Sequence, residues 1–244
     1  SWRYCGYELR SQILMRLNML RYEKNKNGID IIYNDEVIFK HLYLRPSFYL
    51  GIGYESIESY RGNFKIEDFI EQRIGLRDFK ITGDTISFYN NEIFLDIEFI
   101  EADSRLTMKL TSSEGYNRFW MRLDALKEEK VFGCGEQASY FNLRGRNFPL
   151  WTSEPGVGRD KNSLTTFYAN KEDKAGGDYY NTYYPEQTFV STRKYWLHAD
   201  SYAYAEFNFR FPQFHELFFW EIPNEIVLSF DNPSIIICSI LEYD

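Results

Sequence analysis

The chain has 244 residues, enough for one large β domain or two small ones. Its formal net charge of -8 disfavours non-specific binding to nucleic acid and to anionic membranes, because both require a positive field. No apolar run approaches the ~20 residues that span a bilayer. The composition includes 20 Tyr, 21 Phe and 5 Trp, an aromatic content that is typical of β strands.

Cysteine and histidine usage argues against a metal site. The three cysteines stand far apart along the chain, at Cys5, Cys134 and Cys238. Their number and spacing fit neither a disulfide framework nor a CxxC motif, so reduced thiols are the simplest state. The three histidines show no HxH or HExxH spacing. We therefore expect neither a metal nor a cofactor. The sequence does not determine the cellular compartment, although reduced cysteines favour the cytoplasm.

The spacing of apolar residues predicts the first secondary-structure elements. Residues 1–27 are ambiguous, because their apolar residues fit both helical and strand periods, and we assign them no element. From there the pattern changes to strands, and residues 29–39 are predicted to form a hairpin. Residues 64–74 place apolar residues at near-helical intervals between charged ones, which predicts a short helix or an irregular crossover.

Alternation of apolar and polar residues predicts β strands over most of the remaining chain. An antiparallel meander is expected from strands over residues 85–89, 93–100, 105–110 and 119–123. The last strands are expected over residues 188–192, 195–198, 203–211, 217–220, 225–230 and 234–239. About a dozen short strands predict a large antiparallel β-sandwich, all-β with at most one or two short helices, in which two sheets bury one apolar face each.

Residues 132–177 interrupt the strand rhythm with glycines and prolines, which predicts a long structured loop. Loops of this length inside a compact domain are usually functional or disordered, and the apolar cluster around Trp151 argues against disorder. At the start of the loop, VFGCGEQ is a strand that runs into a tight glycine turn and presents Glu136 and Gln137. Taken alone, this is an ordinary turn.

The surrounding blocks carry a family resemblance. FGCGEQASYFNLRGR at 132–146, followed by FPLWTSEPGVGRDKN at 148–162, resembles the amino-terminal domain of family 31 glycoside hydrolases, above all their sulfoquinovosidase branch. AGGDYYNTYYPEQTFVSTRKYWLHAD at 175–200 resembles the same branch, with support from RGNFKIEDF at 61–69 and NRFWMRL at 117–123.

The resemblance extends over about residues 29–239 and implies a galactose-mutarotase-like β-sandwich packed on a (β/α)8 barrel. In the family, the barrel supplies an aspartate nucleophile and an aspartate acid/base for retaining hydrolysis of α-glycosides. We find no barrel-like alternation of strands and helices, and therefore expect residues 28–244 to be a domain without catalytic residues. Its expected partners are the missing barrel and an α-glycoside, of the α-glucoside or sulfoquinovoside type.

The resemblance also implies that a loop of this domain reaches over the barrel mouth. Glu136 stands at the position expected to approach the bound sugar, with Gln137 beside it. Hydrogen bonding to sugar hydroxyls is one interpretation of the carboxylate. The other is that it accepts backbone N–H groups of its own loop.

Weaker candidates lie in the same region. Arg144 could pair with an anionic substrate such as a sulfonated sugar, although fixing of the loop through Glu154, Asp160 or the barrel is favoured. Trp151 could stack on a sugar face, although packing is favoured. The same alternatives apply to Arg146, Arg159, Tyr179, Tyr180, Tyr183 and Tyr184. Cys134 lacks a neighbouring histidine and is interpreted as a packing residue.

Two other functions are compatible with the sequence. One is a stand-alone carbohydrate-binding module, descended from such an enzyme. The other is a protein-interaction β-sandwich that uses the same exposed surface to hold a partner.

Overall fold

The structure is a computed structural model that describes residues 19–60, 63–102 and 104–230. These residues form seventeen strands and one helix. The strands are β1 (Leu20–Asn25), β2 (Gly28–Tyr33), β3 (Glu36–Leu42), β4 (Phe48–Tyr60), β5 (Asn63–Gly75), β6 (Asp78–Thr82), β7 (Thr85–Asn90), β8 (Ile93–Ala102), β9 (Arg105–Ser112), β10 (Arg118–Asp124), β11 (Val131–Gly133), β12 (Asn147–Leu150), β13 (Thr188–Ser191), β14 (Tyr195–Asp200), β15 (Ala205–Asn208), β16 (Phe214–Phe219) and β17 (Glu225–Ser229). The helix is α1 (Leu164–Asp173).

The strands assemble into three sheets. The order is β1-β2-β3 in the first, β12-β15-β16-β10-β4-β5 in the second and β11-β13-β14-β17-β9-β8-β7-β6 in the third. All ladders between these strands are antiparallel. The predicted all-β, sandwich-like fold with few helices is confirmed.

The core lies between the six- and eight-stranded sheets and follows from alternation along each strand. In β8, Leu95, Ile97 and Phe99 are buried, while Glu98, between the last two, is exposed. In β10, on the other sheet, Phe119 and Met121 belong to the same buried cluster. Each apolar side chain of this size contributes about 1.5–3 kcal/mol by leaving water, so a period of two fixes which face turns inward.

The predicted hairpins are present. Residues 29–39 form β2 and β3, joined through Asn34 and Asp35, whose φ angles of 52° and 65° suit the tight turn that a twisted hairpin favours. Strands β7, β8 and β9 form the predicted meander, with Asn91 at φ 56° in its first turn. The prediction that residues 119–123 continue it is wrong, because β10 crosses to the six-stranded sheet.

The prediction of a short helix or crossover over residues 64–74 is wrong, because this segment is strand β5. It pairs with β4 in one long antiparallel hairpin, and the register shifts between Ile52 and Gly53. A bulge breaks the period of two, and both faces of the outer part of the hairpin carry apolar residues. The apolar residues therefore fall at intervals that imitate a helix.

The predicted long loop contains a helix that the sequence pattern did not indicate. Helix α1 begins after Ser163, whose hydroxyl accepts the N–H of Thr166 at 3.2 Å, and ends at Lys174 with φ 53°. Short strands β11 and β12 also lie in this region. The ambiguous segment is described only from residue 19, where it leads into β1, and the strand predicted over 234–239 lies outside the described residues.

Candidate functional site

Three consecutive left-handed residues form the glycine turn after β11. Their φ angles are 114° at Gly133, 58° at Cys134 and 79° at Gly135. A Cβ added at Gly135 would lie 2.0 Å from the carbonyl oxygen of Tyr184 and 2.7 Å from the backbone nitrogen of Glu186. Glycine is required there for both the backbone conformation and the close approach.

Backbone hydrogen bonds hold the turn against the segment before β13. The N–H of Cys134 donates to Thr188 O at 2.7 Å, and the N–H of Glu136 donates to Tyr184 O at 2.9 Å. The thiol of Cys134 is fully buried in the core, and this burial raises its pKa far above the usual range. Cys134 is therefore a packing residue, as its sequence context indicated.

Glu136 and Gln137 leave the turn in different environments. Glu136 is exposed, and within the described residues its carboxylate accepts no hydrogen bond and joins no ion pair. The Nε2 of Gln137 donates to Cys134 O at 2.9 Å, whereas its Oε1 is buried without a described partner. The turn thus carries an exposed carboxylate and, at the next residue, a buried amide oxygen without a donor among the described residues.

Arg144 fixes the loop through backbone carbonyls. Its Nη1 donates to Phe209 O and Phe211 O, both at 2.7 Å, and its Nη2 to Leu126 O at 3.0 Å and Pro212 O at 3.2 Å. The carboxylates considered as partners from sequence are not among them. Burial lowers the pKa of this guanidinium below its usual value. The geometry is that of an arginine whose planar fork joins distant segments.

Trp151 is half-buried in an aromatic group. Its ring centroid lies 5.6 Å from that of Phe64, 6.0 Å from Tyr204 and 6.5 Å from Trp220. On its other side Trp151 lines an open cleft of about 840 Å³, together with Phe64, Glu186, Gln187, Asp200 and Tyr202. Sequence reasoning selected Trp151 but missed most of these neighbours.

The cleft and the glycine turn share one segment of chain. Backbone atoms of Tyr184 and Glu186 face the turn, whereas Pro185, Glu186 and Gln187 line the cleft. A single extended stretch before β13 therefore connects the two candidate sites. The run YYPEQT, in which two tyrosines and a proline precede consecutive polar residues at the start of a strand, was the available signal.

A buried charged cluster lies beneath the same loops. Glu129 Oε1 accepts the hydroxyls of Ser191 at 2.5 Å and Tyr195 at 3.1 Å, and lies 3.1 Å from His215 Nε2. Burial by itself would raise the pKa of Glu129, but these neighbours and the Leu126 N–H hold it at about 2. Burial lowers the pKa of His215. The cluster is an internal anchor, with no opening to solvent at either ionisable side chain.

Across the part of the chain that the structure describes, no three His, Cys, Asp or Glu side chains are grouped as a metal site would require. Helix α1 is too short and too polar to span a membrane, and it is the only helix in those residues.

Fold and site together define a large antiparallel β-sandwich domain that carries a structured loop on one flank. Residues 32–187 match the family described as the glycosyl hydrolase 31 N-terminal galactose mutarotase-like domain. The chain belongs to this family, and the resemblance seen in its loop blocks is confirmed.

Two curated relatives are sulfoquinovosidases. The one from Agrobacterium fabrum (strain C58 / ATCC 33970) is 42% identical over 207 residues, covering 85% of this chain and 31% of the relative. The one from Escherichia coli (strain K12) is 40% identical over 208 residues, covering 82% and 31%.

A solved structure gives the same result. A GH31 family sulfoquinovosidase from E. rectale, in complex with the aza-sugar inhibitor IFGSQ, matches with a TM-score of 0.77 and 47% identity, over 87% of this chain and 32% of that one. The chain spans about a third of the length of all three relatives.

Proposed function

We propose that this chain is the non-catalytic amino-terminal domain of a retaining α-glycosidase, which hydrolyses the O-glycosyl bond of α-glucosides or sulfoquinovosides. Family membership and the one-third span of sulfoquinovosidase relatives support this assignment. Retaining hydrolysis needs two carboxyls about 5–5.5 Å apart, one as nucleophile and one as acid/base. A (β/α)8 barrel outside this chain supplies that pair.

The domain contributes a sugar contact at the mouth of the active site. The observation that carries this proposal is the exposed, unpartnered carboxylate of Glu136 on a turn fixed by Gly133 and Gly135. A carboxylate accepts hydrogen bonds from sugar hydroxyls strongly, because the acceptor is charged. A turn that is already rigid loses little entropy when the sugar binds.

Three further residues support Glu136. Gln137 offers its buried Oε1 as a second acceptor from a sugar hydroxyl or from a group that holds one. Arg144 acts as a positioning residue, because its carbonyl bonds fix the path of the loop. Trp151 supplies an aromatic face beside the same segment.

The first experiment concerns the gene. Sequencing of the transcript past the codon for Asp244 should reveal an open frame that encodes a barrel with two catalytic aspartates. A stop codon at that point would overturn the assignment to a glycosidase domain.

The second experiment concerns Glu136 in the longer protein. Glu136→Gln should lower kcat/KM for an aryl α-sulfoquinovoside or α-glucoside by about tenfold or more, the loss of one charge-assisted hydrogen bond. The control is Glu92→Gln, since Glu92 is an exposed carboxylate on a different turn. Equal activity of Glu136→Gln and the wild type would rule out the sugar contact.

A further inference from the structure

The cleft beside Trp151 has the dimensions of a ligand site. It is open, about 840 Å³, and is built from three separate stretches of chain: residues 150–154, 183–187 and 198–203. Phe64, at the start of β5, completes the lining. Small-molecule sites are typically clefts of about 300–1,000 Å³ with aromatic walls and a few fixed polar groups.

Aromatic rings with free faces line this cleft. Trp151 is backed by Tyr204 and Trp220, so its indole is held in place while one side remains accessible. Tyr202 is 101% exposed, and Tyr183 is 47% exposed with its hydroxyl bonded to Glu154 Oε1 at 2.6 Å. Tyrosine and tryptophan rings can pack on the C–H face of a pyranose, and they have few side-chain torsions to fix.

A buried amide oxygen in the same cleft lacks a donor. Gln187 is only 9% exposed, and its Nε2 donates to Ala203 O at 2.7 Å. That bond fixes the amide orientation and leaves Oε1 buried, with no partner among the described residues. Buried acceptors are nearly always paired in proteins, so this oxygen can accept a hydrogen bond from a water molecule or a ligand hydroxyl.

The charge of the lining selects the kind of ligand. Its ionisable side chains include three carboxylates, Glu154, Glu186 and Asp200, and no lysine or arginine. The one histidine, His198, already holds Thr188 Oγ1 at 2.7 Å through Nδ1. Acceptors therefore dominate the lining, which favours a ligand rich in hydroxyl donors and repels an anion.

We propose that this cleft binds a neutral hexopyranoside and discriminates against sulfonated sugars. Trp151 and Tyr202 contact the C–H faces of the ring, and Gln187 Oε1 and Asp200 accept hydrogen bonds from its hydroxyls. Membership in a glycoside hydrolase family favours a sugar over an organic cation as the occupant. Trp151 is common to this inference and to the proposed function, but the inference does not depend on Glu136, because that carboxylate does not line the cleft.

Titration calorimetry on the full 244-residue chain tests the proposal. The probes are methyl α-glucopyranoside, methyl α-sulfoquinovoside and tetramethylammonium chloride. We expect saturable, millimolar binding of the neutral glucoside, with binding of the sulfonated glycoside at least about fivefold weaker. Preference for the sulfonated sugar, preference for tetramethylammonium, or no saturable binding of the glucoside would each overturn the proposal.

Two variants locate the binding in the cleft. Tyr202→Ala should weaken glucoside binding about fivefold, the loss of one aromatic contact, and its full exposure means that folding is not affected. The control Tyr168→Ala removes a tyrosine that is 54% exposed on α1, away from the cleft, and should leave binding unchanged. Asp200→Asn should reduce the difference in affinity between the glucoside and the sulfonated glycoside, because it removes a negative charge from the lining. Equal binding by Tyr202→Ala and the wild type would place the sugar elsewhere.

Discussion

The backbone N–H of Glu136 donates to the carbonyl oxygen of Tyr184 at 2.9 Å. This one bond joins the glycine turn to the segment whose next three residues line the cleft. Because Gly135 leaves no space for a Cβ at the same contact, the turn and the segment hold each other in one arrangement. The direction in which the Glu136 carboxylate leaves the turn is therefore set by packing.

Gly135→Ala should destabilise the chain more than an ordinary substitution of a left-handed glycine. The control is Gly115→Ala, at φ 86° with no atom within 4 Å of the added Cβ. The control should lose about 1–2 kcal/mol from backbone conformation alone. Gly135→Ala should lose about 1–3 kcal/mol more, because the Cβ collides with Tyr184 O. Urea denaturation measures both, and equal losses would show that the close contact has no consequence.

Arg144→Ala should lower the free energy of unfolding by about 2–4 kcal/mol, because four carbonyls, two of them part-buried, lose their charged donor. Arg144→Lys should recover only part of the lost stability, since a single ammonium cannot donate to all the carbonyls that the two guanidinium nitrogens contact. Arg210 is exposed, and among the described residues its side chain bonds only to Asn208, so Arg210→Ala should change stability by about 0.5 kcal/mol or less. Denaturant midpoints compare the three variants. If Arg144→Lys is as stable as the wild type, the planar guanidinium is not needed to hold these carbonyls.

Stability should fall as the pH decreases from about 6.5 to 4 because of His41. The N–H of Ser47 donates to Nδ1 at 3.3 Å, so the ring proton is on Nε2, 3.1 Å from Arg77 O. Burial lowers the pKa of His41 to about 4, and the unfolded chain therefore takes up the proton first. The contribution of neutral His41 to the free energy of unfolding is therefore complete above the unfolded pKa of about 6.5. It decreases by about 3 kcal/mol as the pH falls towards 4.

The free energy of unfolding at pH 7 and pH 5 tests this expectation. The wild type also contains His215, whose pKa is lowered too, so the informative quantity is the difference between the wild type and His41→Gln. The pH dependence should be smaller in the variant. Glu129 does not interfere in this range, because its stabilising contribution is present above about pH 4.5 and is lost only as the pH falls towards 2. An unchanged pH dependence would contradict the assignment to His41.

Local patterns were sufficient for much of the fold. The alternation at Leu95 and Ile97 places one face of a strand in the core whatever the strand pairs with, because a strand has a period of two. The turn at Asn34 and Asp35 is equally local, since both side chains tolerate a left-handed backbone. The block FGCGEQ was readable locally as a tight glycine turn, whereas its selection as a candidate site came from the family resemblance.

Only the tertiary structure showed which distant segments pair, bond and form the cleft together. Residues 64–74 become a strand because β4 pairs with them through a bulge, which no pattern within the segment encodes. The carbonyls that Arg144 contacts through Nη1 lie 65 and 67 residues away along the chain. The cleft exists because Trp151, Gln187 and Tyr202 meet at the ends of different strands. Sequence periodicity reports which face of an element is apolar, whereas a site depends on which faces meet, and that is set by packing of the whole sandwich.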